Sequence, residues 1–170
     1  GFCAGVDIKE LAEDSNKIVE VNRGCYESFK AVRACNVPVI SAVHGFCLGG
    51  GVGLVGASDI IIASDDAYFG LPEVDRGALG AASHLARMFP LQHVRRMMFT
   101  AEPIDAMEAY RLGALEKVVS KDNLLSSAMS LANKIAEKSP LAIRLAKESL
   151  NGIESHDVDK SYLYEQGFTL

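Results

Sequence analysis

The chain has 170 residues, 49% of them apolar, which implies one domain with a core of ordinary size. Its net charge of −5, from 22 acidic and 17 basic residues, argues against a nucleic-acid-binding surface. No apolar run is long enough to span a bilayer, and no stretch reads as a secretory signal. The four cysteines, Cys3, Cys25, Cys35 and Cys47, form no Cys-x-x-Cys pair, so reduced, packed thiols in the cytoplasm are expected rather than a metal site or disulfides.

Gly1 to Asp7 mixes glycine with small and apolar residues and reads as a strand end with a loop. Glu13 to Asn36 carries a helical pattern, with Ile18, Val21, Cys25, Phe29 and Val32 on one apolar stripe. Pro38 closes that helix and opens a buried strand to Val43. Gly49-Gly50-Gly51 follows, then small and apolar residues to Ala57, so a glycine turn and a buried helix are expected. Asp59 to Ser64 is a second buried strand, Asp65-Asp66 a turn, Ala67 to Gly70 a third strand and Leu71 to Gly77 a loop. Strands alternating with helices imply parallel pairing and the α/β class.

Helical patterns dominate the rest. They cover Ala78 to Phe89, Leu91 to Thr100, a helix N-capped by Asp105 and stopped by Gly113, Asn123 to Lys138, and Pro140 to Leu150 behind its cap Ser139. Leu115 to Val119 returns briefly to strand character. The missing initial methionine, and an end at Phe168-Thr169-Leu170 with no helix stop, suggest a segment of a longer protein.

The glycine turn admits two readings. Glycines let two helices pack closely, or they let backbone amides at a helix start approach a ligand that gains negative charge. A phosphate loop is a third option, but Gly-x-x-x-x-Gly-Lys-Ser/Thr is absent.

Three stretches together resemble one family. Phe2 to Glu10, with Ala4-Gly5-Val6-Asp7, is similar to the Ala-Gly-x-Asp segment of the crotonase superfamily, the enoyl-CoA hydratase/isomerase family. His44 to Gly51 resembles its second signature, and Asp59 to Gly77, ending in Phe69-Gly-Leu-Pro-Glu-Val, its third. The resemblance implies a crotonase-like spiral of ββα turns over residues 1–103 and a helical trimerisation region over 104–170. It also implies a homotrimer or dimer of trimers acting on acyl-CoA, with no cofactor beyond the coenzyme A of the substrate. The amides of Val6 and Gly50 would hold the thioester oxygen, and Ala4, Asp7, Ile8 and Gly49 would complete the binding segment.

The family's hydratases use two glutamates. The second is present here as Glu73; the first falls on Gly53, which has no side chain. Paired-carboxylate hydration is therefore not available in its usual form, whereas Glu73 alone can carry a proton if burial raises its pKa. His84 is a second candidate for activating water, and Asp75 and Arg76 follow Glu73 closely enough to assist or to form a surface ion pair. Tyr162, Tyr164 and Glu165 lie where the family returns a helix toward its site.

Arg23-Gly24-Cys25, the run from Gly70 to Gly80, His84, and Tyr164 to Thr169 are similar to a steroid-degrading subgroup. That subgroup opens a ring of a bicyclic dione CoA ester by hydrolysing a carbon–carbon bond. Two alternatives stand beside this reading: an enoyl-CoA hydratase or isomerase with one catalytic glutamate, and a non-catalytic acyl-CoA-binding scaffold.

Overall fold

The structure, a computed structural model, describes residues 1–7 and 15–168. It begins with α1 (Ile18–Arg33), preceded by a 3-10 turn at Ser15–Lys17. Strand β1 (Ile40–Val43) leads through a turn at Gly45 into β2 (Phe46–Leu48), which runs into α2 (Gly50–Ala57). Strands β3 (Ile60–Ser64) and β4 (Tyr68–Gly70) repeat that pattern. A 3-10 turn at Pro72–Arg76 and helix α3 (Ala82–Met88) close the second ββα turn.

Strands are dealt alternately to two sheets. β1 pairs with β3 in parallel, with Ile40 opposite Ile60 and Ala42 opposite Ile62. β2 pairs with β4 in parallel, with Phe46 opposite Tyr68 and Leu48 opposite Gly70. Parallel pairing needs a crossover, and α2 supplies it. This is the α/β architecture that the alternating pattern predicts.

The remaining helices are α4 (Leu91–Thr100), α5 (Ala106–Arg111), α6 (Leu124–Ala136), α7 (Pro140–Ile153) and α8 (Val158–Gln166). Residues beyond 103 also carry strands. β5 (Ile104–Asp105) pairs antiparallel with β4, and β6 (Lys117–Val119) pairs parallel with β3. Two of the expected caps form as read: Asp105 accepts from the Glu108 amide at 2.8 Å, and Ser139 from the Ala142 amide at 3.4 Å.

Three local expectations change. The passage from β1 to the buried helix is not one glycine turn but contains β2, held between Gly45 and Gly49. The loop after β4 winds into the 3-10 turn, which Gly77 ends in the left-handed conformation at φ 70°. The helix expected from Ala78 starts only at Ala82, because the preceding residues line a cavity instead.

Helix α2 is buried almost all round, so its sequence carries no polar face. Val52 and Val55 join Val43, Cys47, Phe69, Leu71, Leu85 and Met97 in the main core. Gly56 lets α3 approach, since a Cβ there would stand 2.5 Å from the His84 carbonyl oxygen. Lys147 on α7, only 5% exposed, donates to the Val37 carbonyl at 3.0 Å and to Asp59 at 2.8 Å, tying α7 to the strand entry. No helix among the described residues is long and apolar enough to cross a membrane.

Candidate active site

The first residues dock along β2. The Phe2 and Cys3 amides donate to the Phe46 carbonyl at 2.9 and 3.2 Å, and the Leu48 amide donates to the Cys3 carbonyl at 2.9 Å. This pairing brings Gly5 against the start of α2. Gly5 has φ 89°, and a Cβ on it would lie 2.8 Å from the Gly50 amide nitrogen. Only glycine tolerates both that backbone and that approach. A Cβ on Gly50 would in turn lie 3.9 Å from the Val6 nitrogen, so the Val6 and Gly50 amides share one small region.

Neither of these two amides donates a hydrogen bond within the described residues. Gly50 is the first residue of α2, where an amide has no partner in its own helix. Both residues line a cavity of about 680 Å³. Ala4 and Asp7 also line it, while Gly49 is buried beneath it and Ile8 lies outside the described residues.

Glu73 enters the same cavity from the 3-10 turn. Its carboxyl group sits between two glycines. A Cβ on Gly49 would stand 2.5 Å from Oε1, and one on Gly80 would stand 2.5 Å from the carboxyl carbon. Gly49 also holds φ 55°, which turns the chain from β2 into α2. The Glu73 Oε2 atom is buried without a hydrogen-bond partner among the described residues. Burial raises the Glu73 pKa above its ordinary value; its own amide opposes the rise and the nearby Glu165 adds to it. A carboxyl group whose proton affinity is raised in this way is suited to pick up and return a proton.

Glu165 comes from α8. It accepts from the Ala82 and Ser83 amides at 2.7 and 2.9 Å and from the Ser83 hydroxyl at 2.8 Å, which caps α3. Its pKa is also raised by burial, against the pull of those three bonds.

His84 is placed elsewhere. It is fully buried, and it does not line the cavity. Its ring lies 4.9 Å from the Phe29 ring and 5.0 Å from the Tyr162 ring, centroid to centroid. Neither ring nitrogen has a hydrogen-bond partner among the described residues. Burial, then Arg87, His156 and Arg33, push its pKa down to about 3, so the imidazole is neutral. Arg76 reaches the cavity from the exposed rim, whereas Asp75 is exposed and does not line it.

Gly53, the position to which the resemblance assigns the first hydratase glutamate, has no room for a side chain. A side chain on Gly53 would run into the Phe29 ring, which is 3% exposed and packed between α1, α2 and α3.

The cavity also uses residues that periodicity alone assigns to the core. Ile18, Val21 and Cys25 of the α1 stripe face it, with Asn22 beside them, while Phe29 and Val32 turn to the core. Tyr162 adds a wall from α8, its hydroxyl beside Cys25 and Gln166. Burial pushes the Cys25 thiol up, so it stays protonated.

Fold and cavity together define an α/β scaffold of ββα turns that sets one buried carboxyl group beside two unused amides. The chain belongs to the enoyl-CoA hydratase/isomerase family, the crotonase family, whose sequence profile matches residues 1–167. It is 54% identical to a (7aS)-7a-methyl-1,5-dioxo-2,3,5,6,7,7a-hexahydro-1H-indene-carboxyl-CoA hydrolase from Mycobacterium tuberculosis, over 99% of this chain and 69% of that protein. It is 52% identical to the protein of the same name from Rhodococcus jostii, over 99% of this chain and 66% of that one. Among solved structures, an enoyl-CoA hydratase/isomerase from Xanthobacter autotrophicus Py2 superposes with a TM-score of 0.91 at 26% identity, covering 99% of this chain and 65% of that one. An enoyl-CoA hydratase from Bacillus anthracis gives 0.86 at 31% identity, covering 100% and 68%. The chain thus spans about two thirds of these relatives.

Proposed function

We propose that this chain carries the active site of an acyl-CoA hydrolase that opens a ring of a cyclic dione thioester. The observation that carries the reading is the pair Glu73 and Gly53. Glu73 is the buried carboxyl group on the cavity among the described residues, and Phe29 fills the place of the second carboxylate used for hydration. The names of the two bacterial hydrolases support the same chemistry.

The Val6 and Gly50 amides form the oxyanion hole. Ionised Glu73 takes a proton from water as the water oxygen bonds to a ring ketone carbon, giving a tetrahedral alkoxide. The alkoxide collapses to a carboxylic acid and the ring carbon–carbon bond breaks. Its electron pair moves to a carbon conjugated with the thioester, whose oxygen gains charge between the two amides. Glu73 then returns its proton to that carbon, so one water is consumed and the glutamate is regenerated. Each preorganised donor contributes about 3 kcal/mol where charge develops. Ala4, Asp7 and Gly49 shape the thioester end. His84 acts through the aromatic packing behind the wall rather than on water.

No resident cofactor enters this scheme, since coenzyme A arrives with the substrate. Assembly as a homotrimer or a dimer of trimers belongs to the same proposal. It is supported by apolar side chains left exposed on α4 and α7, among them Phe99, Leu145, Leu150 and Ile153. Four free cysteines suit a cytoplasmic setting.

Steady-state assays of the full-length protein test the reading. Hydrolysis of a bicyclic dione CoA ester is expected, and it should fall at least a hundredfold in Glu73→Gln while acyl-CoA affinity persists. Fast hydration of a short enoyl-CoA with no action on the dione would overturn it in favour of a hydratase. Undiminished turnover in Glu73→Gln would remove the proposed proton carrier.

A further inference from the structure

Opening a ring in this way creates negative charge on two oxygens in succession, first the ketone oxygen under attack and then the thioester oxygen. The Val6 and Gly50 amides serve the second. The first needs a donor on another wall, because the two oxygens belong to different parts of the substrate.

We propose that Asn22 is that donor, its carboxamide binding the ring ketone oxygen and stabilising the alkoxide formed there. The proposal rests on the ring-opening reading and adds a residue that the family signatures quoted above do not contain.

Asn22 lies on the α1 wall of the cavity, one helical turn before Cys25. Its backbone is pinned from α8, since Gln166 Nε2 donates to the Asn22 carbonyl at 2.6 Å. Gln166 is itself only 9% exposed, so this link is built into the packing. The side chain is fixed by nothing comparable: Asn22 Nδ2 is buried with no hydrogen-bond partner among the described residues. Leaving a buried amide donor unmet costs about 1–3 kcal/mol. A turn about its last bond exchanges the nitrogen and oxygen ends, so the carboxamide of this cavity-lining residue can present its donor in either direction.

The other groups on this wall do not compete. Ile18 and Val21 are apolar. The Cys25 thiol is a weak donor. The Tyr162 hydroxyl is engaged beside Cys25 and Gln166. Arg76 sits at the exposed rim.

The test compares two probes of one skeleton, a bicyclic CoA thioester bearing the ring ketone and its counterpart with a methylene in place of that carbonyl. Binding is measured in full-length Glu73→Gln protein, so that neither probe turns over. A tenfold preference for the ketone is expected, and it should vanish on adding Asn22→Ala while affinity for the methylene probe stays within about twofold. In otherwise unaltered protein, Asn22→Ala should lower kcat on the dione about a hundredfold. Asn22→Asp, which keeps the shape and loses the donor, should do the same. A ketone preference that survives Asn22→Ala, or no preference in Glu73→Gln alone, overturns the assignment. Failure of the unaltered protein to hydrolyse the dione would instead overturn the ring-opening reading, and the binding comparison would still judge Asn22.

Discussion

The ring of Phe29, reaching over from α1, occupies the space into which any side chain on Gly53 would grow. The ring is 3% exposed and lies 5.2 Å from the Tyr162 ring, so it cannot swing aside without unpacking α8. Restoring the hydratase carboxylate by Gly53→Glu should therefore fail. We expect a loss of about 2–4 kcal/mol from overpacking and a buried unpaired charge, and no gain in enoyl-CoA hydration. Adding Phe29→Ala should recover part of that stability and be the first variant to hydrate a short enoyl-CoA. Denaturant midpoints and hydration assays on the three proteins check this.

Gly80 works from the other direction. A Cβ there would stand 2.5 Å from the Glu73 carboxyl carbon and from Oε1, and 2.6 Å from Oε2, so the whole carboxyl group would have to shift. Gly80 has no positive φ that forbids a side chain, so Gly80→Ala should fold with a modest loss of stability, about 1–2 kcal/mol. Its cost should appear in kcat, through displacement of the carboxyl group, by tenfold or more. Gly49→Ala adds a strained backbone at φ 55° and should be the less stable of the two. Thermal melts and initial rates separate them.

Much of this arrangement is legible in the residue order, and the parts that are not have physical reasons. Alternating strands and helices give parallel pairing, and the Pro-Glu loop gives Glu73. Strand β2 escapes notice because three residues between two glycines are too short to show alternation. Helix α8 has little amphipathic contrast, yet Val158, Tyr162 and Gln166 recur every four residues and are all buried, and Asp157 caps it by accepting from the Lys160 amide. That spacing was a usable signal. The bond from Glu165 to Ala82 and Ser83 had none, since it joins residues more than eighty positions apart. Nor can a helical stripe show which of its residues meet solvent-filled space; Cys25 and Phe29 share one stripe and one packed cluster, yet only Cys25 also lines the cavity.

The raised pKa of Glu73 makes stability depend on pH in a defined sense. The folded chain holds this proton more tightly than the unfolded chain, whose carboxyl group ionises near 4.5. As pH rises past that value, the unfolded state ionises first and the folded state loses ground until Glu73 also ionises. Glu73→Gln should therefore be more stable than the parent above the raised pKa and equal to it below pH 4.5. A gain of 1 kcal/mol would appear as about 2–4 °C in Tm at pH 7. An equal gain at pH 4 and pH 7 would mean that ionisation is not its source.

His84 carries the opposite sign. Its folded pKa is pushed down from 6.5 to about 3 by burial between Phe29 and Tyr162, with Arg87, His156 and Arg33 adding repulsion. The unfolded chain takes up the proton as pH falls below 6.5 and the folded chain resists until about 3. Stability that is present above 6.5 is thus lost progressively through that window. His84→Leu removes the titrating group and keeps an apolar filling, so its urea midpoint should change less between pH 7 and pH 4.5 than that of the parent. The same variant should keep kcat within tenfold, because a neutral ring behind the wall handles no proton. A hundredfold fall in kcat with an intact fold would place His84 in the chemistry alongside Glu73.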